Sequence, residues 1–220
     1  MEAIKWSGEA WKAAEPIYEK ILELPFVKGL ADGTLDPERF RFYLRQDVLY
    51  IRRYARRLLM LAARLPRRAQ QTDFTTFASD GVAVEAAMHQ SFLKGDDPSD
   101  DEMSPTCLLY TSVLDARMFS EVEVAAAAVL PCFWVYQRVG ETILRSARGG
   151  LDRNPYRAWI EAYGDEAFAS ACRRAVEICD ELAAEASPAV RERMTSVFVL
   201  CPRMEWLFWQ SAWEREQWKI

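Results

Sequence analysis

Residues 36–61 read DPERFRFYLRQDVLYIRRYARRLLML, and this stretch decides the fold class. Asp36 followed by Pro37 is a helix start: an N-cap acceptor, then a proline at the first helical position, where its missing N–H costs nothing. From there the apolar residues fall at Phe40, Tyr43, Leu44, Ile51, Tyr54, Leu58 and Leu61, with Asp47 in the same series. Steps of three and four place all of them on one helix face. The stretch therefore predicts an amphipathic helix with a carboxylate in the middle of its buried stripe.

The same helical period extends in both directions, and neither a period-two strand nor a solenoid-length repeat interrupts it. A first helix leads with Trp11, Ile17, Ile21 and Leu22 and is expected to end near Leu24-Pro25, before a turn at Ala31-Asp32-Gly33-Thr34. A third helix is expected over 72–93, an acidic loop over 96–102, and helices over 105–119 and 121–147. A short helix follows Pro155, another spans 168–186, and the last starts at Ser187-Pro188. The helix over 121–147 places Val129, Cys132, Tyr136, Val139 and Ile143 on one face, and the last places Met194, Val197, Cys201, Glu205, Phe208 and Ala212 on one face. Pro131 and Pro202 fall inside these two helices, where each removes a backbone donor and is expected to kink the chain. No linker divides the 220 residues, so residues 1–220 read as one all-α domain.

Composition bounds the function. Half the residues are apolar and the net charge is −5, the balance of a folded soluble protein rather than of a dedicated nucleic-acid binder. The N-terminus lacks a signal-peptide pattern, and no apolar run is read as a transmembrane span. Five cysteines at irregular spacing are expected to be reduced thiols in a cytoplasmic protein.

Asp47, Cys132 and Glu205 each interrupt an apolar face. A buried carboxylate is costly unless paired or hydrogen-bonded, so a structural ion pair explains either acid taken alone, and a buried cysteine taken alone is a small hydrophobe. Two acids and a thiol on three helices form a candidate constellation, expected to face one closed cavity. His89 is the sole histidine, which leaves helical di-iron and zinc chemistry without its ligands; beside Glu85 it reads as a hydrogen-bonded core residue. No glycine-rich phosphate loop is present. Arg45, Arg52, Arg53, Arg56, Arg57, Arg64, Arg67 and Arg68 are read as a cluster on the helix that starts at Asp36-Pro37, on the face away from Asp47, a solvated or subunit-contacting surface balanced by the acidic loop.

Several blocks resemble one known family. Pro25-Phe26-Val27, Ala31-Asp32-Gly33-Thr34-Leu35, Phe40, Tyr43-Leu44-Arg45-Gln46-Asp47 and Tyr50 are similar to the opening of TenA, also called thiaminase II. Glu85 with His89, Tyr110-Thr111, Leu130-Pro131-Cys132-Phe133-Trp134-Val135-Tyr136, Tyr156, Trp159-Ile160, Tyr163, and Glu205 with Phe208-Trp209 continue it in order. Leu24 departs from the family's frequent His before Pro-Phe-Val, outside the proposed chemistry. The resemblance implies a haem-oxygenase-like helical bundle without haem, usually a homotetramer, that uses no metal or organic cofactor and hydrolyses aminopyrimidine fragments of thiamin, or in some members thiamin itself, to hydroxymethylpyrimidine.

By position the resemblance implies that Cys132 is the nucleophile and Glu205 the acid–base group. Asp47 would hydrogen-bond the amidine-like edge of the ring and Tyr50 would pack on it. Tyr110, Tyr136 and Tyr163 would line the site and orient the cysteine, the substrate or Glu205, and Phe208 would be a wall residue. Two other readings stand beside it: a regulatory or partner-binding protein of the same fold without turnover, and a relative of the cofactorless PQQ-synthesis oxidase, whose several site histidines this chain lacks.

Overall fold

The computed structural model describes residues 5–94, 96–146 and 150–220, with the side chains of 84, 85, 89, 90 and 99 left aside. Among the described residues, with no strand and with two single-turn 3-10 helices (Pro98–Asp100 and Leu151–Arg153) in the connections, the chain is built of α-helices. In order they are α1 (Trp6–Leu22), α2 (Pro25–Asp32), α3 (Pro37–Ala62), α4 (Arg68–Phe92), α5 (Pro105–Arg117), α6 (Val122–Ser146), α7 (Arg157–Gly164), α8 (Glu166–Glu185) and α9 (Pro188–Glu214). The all-α reading of the sequence holds, and the starts of α3, α5 and α9 lie where Pro37, Pro105 and Pro188 put them.

Local chemistry sets these starts. Asp36 accepts from the Glu38 N–H at 3.0 Å, Ser104 from Cys107 at 3.2 Å, Asp165 from Phe168 at 2.7 Å and Ser187 from Val190 at 3.3 Å. Each satisfies a donor that has no partner within its helix. The segment between the first helix and Gly33 differs from expectation. The first helix stops at Leu22, and Pro25 opens a separate short helix that buries Phe26, Val27 and Leu30. Gly33, at φ 71°, closes α2 in the left-handed region that favours glycine.

Helix α6 is the axis of the bundle, packed against α7, α8 and α9. By length and composition it is apolar enough to cross a membrane, which corrects the sequence reading that no such run exists. Its apolar surface is mostly covered by the surrounding helices, so its hydrophobicity serves the core.

The arginine cluster also needs correction. Arg64, Arg67 and Arg68 lie beyond the end of α3. Arg45 pairs with Asp96 and Asp101 of the acidic loop, and Arg52 pairs with Asp97, as a balanced surface requires. Arg57, in contrast, points inward and is buried.

Candidate active site

Three helices bring the singled-out residues together. On α3, Asp47, Tyr50 and Tyr54 follow one another at helical spacing and are all buried. On α6, Cys132 and Tyr136 stand one turn apart on the face toward α3, and the Tyr54 hydroxyl donates to the Val129 carbonyl at 2.7 Å, tying α3 to α6 just before Cys132. On α9, Glu205 and Phe208 share the buried face. Tyr163 arrives from α7 because Gly140 lets α7 close on α6: a Cβ at Gly140 would lie 2.6 Å from the Tyr163 carbonyl carbon. The rings of Tyr136 and Tyr163 are 5.0 Å apart.

A cavity of about 370 Å³ opens between α3, α4, α6, α7 and α8. Asp47, Cys132, Tyr136 and Tyr163 line it, with Tyr54 and Phe133 in its wall. Glu205, Tyr50, Tyr110 and Phe208 are not among the lining residues, although Glu205 and Tyr50 both act on the Cys132 thiol. The Tyr110 hydroxyl donates to Glu205 Oε1 at 2.6 Å. Tyr50 packs its ring 4.9 Å from Tyr110 and 5.8 Å from Phe208, and its buried hydroxyl is directed to the Cys132 thiol.

Burial sets the protonation states. Glu205 is 1% exposed; desolvation first, then the Asp47 carboxylate, push its pKa up to about 8 against the opposing hydrogen bond from Tyr110. It is therefore protonated at neutral pH. Desolvation also raises Cys132 well above an ordinary thiol, reinforced by Glu205 and Asp47, while the nearby hydroxyls of Tyr50 and Tyr54 act the other way. At rest the site holds a neutral thiol beside a neutral carboxylic acid. Burial likewise raises Tyr50, Tyr110, Tyr136 and Tyr163, which stay neutral and able to donate.

Two site neighbours had been read from sequence only as core. Tyr54 approaches Cys132 and anchors α6. Tyr43 accepts from Trp159 Nε1 at 3.3 Å and donates to the Tyr136 hydroxyl at 3.4 Å. The available signal was their place on the Asp47 stripe, which buried aromatics share with any core position. The pairing of Glu85 with His89 lies outside the described side chains. Among the described residues no cluster of histidine, cysteine and carboxylate could hold a metal.

With this geometry in place, the comparisons with known proteins carry weight. The model of the TENA/THI-4/PQQC family matches residues 11–215. The chain belongs to this family. One relative, the aminopyrimidine aminohydrolase of Bacillus subtilis, is 33% identical over 226 aligned residues that cover 98% of this chain and 92% of that protein. The thiamine biosynthesis multifunctional protein ThiED of Corynebacterium efficiens is 36% identical over 81% of this chain, which spans about a quarter (24%) of that longer protein. Among solved structures, the TenA homologue from P. horikoshii OT3 superposes with a TM-score of 0.84 at 24% identity, over 96% of this chain and 99% of that one. A domain with a heme oxygenase-like fold from Shewanella denitrificans superposes at 0.72. At these identities the structures speak for the fold, which is the family's helical bundle.

Proposed function

We propose that this TENA/THI-4/PQQC family member is an aminopyrimidine aminohydrolase of thiamin salvage, with Cys132 as nucleophile, Glu205 as acid–base group and Asp47 as the anchor of the ring's amidine-like edge. Full-length relatives named aminopyrimidine aminohydrolase, at 26 to 33% identity, support the reaction class. The observation that carries the residue assignment is that Cys132 and Asp47 line one cavity, with the Cys132 thiol under the influence of Glu205, a buried acid whose pKa is about 8.

The chemistry follows from these states. Glu205 gives its proton to a ring nitrogen and takes the Cys132 thiol proton in exchange, so sulfur adds to a ring carbon without a free thiolate in an apolar site. The C–S bond forms as the ring loses aromaticity. The electron pair returning from the ring then expels the exocyclic amine, which takes the proton held by Glu205 and leaves as ammonia. Water adds to the exocyclic methylene and gives its proton to Glu205. Elimination of Cys132, with the ring-nitrogen proton passing back to sulfur, restores the ring. The net change is amine plus water to alcohol plus ammonia, and the covalent stage splits one hard displacement into two easier steps. A flat heteroaromatic ring suits walls of Tyr and Phe.

The reading also assigns a small-molecule pyrimidine as substrate, no organic cofactor, no nucleic-acid or membrane partner, a cytoplasmic location, and a homotetramer of this chain. The test is direct: incubation with aminomethylpyrimidine and with thiamin, with products identified by mass. Ammonia and hydroxymethylpyrimidine are expected from the first, and Cys132→Ala is expected to reduce the rate by about a thousandfold or more. Full ammonia release by Cys132→Ala would overturn the nucleophile assignment. Salt-dependent DNA binding without hydrolysis would favour a regulatory protein instead.

A further inference from the structure

The proposed mechanism leaves one buried charge without a task. Arg57 lies on α3, three residues after Tyr54, with its side chain 1% exposed. Its Nε donates to Asp115 Oδ1 at 2.8 Å and its Nη2 donates to the Thr111 carbonyl at 2.8 Å. Its Nη1 is buried without a hydrogen-bond partner among the described residues. Taking a guanidinium out of water is costly, and an apolar replacement of a buried ion pair is frequently as stable or more so. Asp115 is itself 56% exposed, which weakens the pair further as a source of stability. What the interaction does fix is the position of α5.

Thr111 follows Tyr110 directly, and Tyr110 makes the 2.6 Å hydrogen bond to Glu205. The other end of α5 is held separately: Gln46 on α3 accepts from the Ser104 N–H at 2.8 Å and donates to the Glu102 carbonyl at 3.2 Å. Two clamps on one helix, Gln46 and Arg57, thus flank Tyr110. The Arg57 clamp grips the C-terminal half of α5, where a cation is favoured by the helix dipole.

We propose that Arg57 is a positioning residue for Glu205: by holding the Thr111 backbone it sets the distance and angle at which the Tyr110 hydroxyl meets the Glu205 carboxyl. The proposal rests on the reading of Glu205 as the acid–base group. A short O–H···O bond weakens steeply with misalignment, and a displaced catalytic group costs turnover more than binding.

The test uses the full-length protein as Arg57→Lys, Tyr110→Phe and the double variant. Arg57→Lys is expected to lower kcat by about tenfold with KM within about twofold, because Asp47 and the cavity walls are untouched. In the Tyr110→Phe background the same change is expected to have no further effect. A second readout needs no turnover. The carboxyl C=O stretch of protonated Glu205, identified by its disappearance in Glu205→Gln, is expected to move to higher wavenumber in Arg57→Lys and in Tyr110→Phe alike. Asp115→Asn, at a half-exposed position safe for the fold, is expected to give the same shift at smaller size. An unmoved band, a wild-type kcat, or losses that multiply in the double variant would overturn the proposal. If Glu205→Gln itself retains activity, the assignment of Glu205 fails, while the infrared band still reports whether Arg57 positions it.

Discussion

At the residue scale, Glu205 decides how the site responds to pH. Its carboxyl goes from an ordinary 4.5 in the open chain to about 8 in the fold. A raised folded-state pKa contributes stability that is fully present below 4.5 and is lost as pH rises through about 8. Wild-type protein is therefore expected to lose stability between those limits relative to Glu205→Gln, whose amide cannot ionise. Urea unfolding from pH 4 to 9 measures the difference; parallel curves for the two proteins would show that Glu205 ionises normally. Turnover is expected to fall on the same alkaline limb, since the acid must carry its proton to deliver it, and Glu205→Gln is expected to lose about 10²- to 10⁴-fold in rate. The sequence showed Asp47, Cys132 and Glu205 as polar interruptions of apolar stripes, but spacing alone could not say that Glu205 is absent from the cavity lining. That depends on how α5 and α9 meet; the family resemblance, and not the spacing, marked Tyr110 as a residue that could orient Glu205. Arg57 was legible in principle. Three residues after Tyr54 and four before Leu61, it falls on the inner face of α3, and only its neighbours in an arginine-rich run concealed it.

At the scale of elements, close approach places Tyr163. Gly140 has no room for a Cβ, which would meet backbone atoms of Tyr163 at 2.6 and 2.7 Å. Gly81, in α4, has nothing within 4 Å of the same position. Gly→Ala is thus expected to change sign between two helices. Gly81→Ala is expected to stabilise by about 1 kcal/mol through helix propensity, and Gly140→Ala to destabilise by about 1–3 kcal/mol because α7 must move. Gly140→Ala is also expected to lower kcat/KM by displacing Tyr163 from Tyr136. Thermal melts and initial rates of the two variants check both signs, and equal effects would remove the packing argument. The starts of α3, α5 and α9 were legible because a cap residue and a proline announce each. The short helix α2 was not, since its proline reads equally well as the end of the preceding helix.

At the scale of the whole molecule, the hydrophobic pattern explains both the bundle and what it leaves uncovered. Helix α6 is apolar enough to pass for a membrane span, and it lies inside the bundle because α7, α8 and α9 enclose it. Elsewhere large apolar side chains remain at the surface: Leu59 and Met60 on α3, Leu108 and Leu109 on α5, and Phe119 in the turn that follows. Helices α3 and α5 pack on each other, so these exposed residues lie on neighbouring elements. Isolated surface leucines need no explanation, but several on neighbouring helices mark a surface suited to a partner. The proposed homotetramer supplies one, a second copy of this chain. Light scattering on the purified protein is expected to give four times the mass of one chain, and Leu109→Asp with Phe119→Asp to shift it toward smaller species without loss of helix content by circular dichroism. A monomeric wild type would sink the tetramer, and a tetramer unmoved by the paired substitution would place its interfaces elsewhere. Because the clamped helix α5 carries Leu109, release of the interface is further expected to lower kcat in the direction of Arg57→Lys, linking assembly to the setting of Glu205.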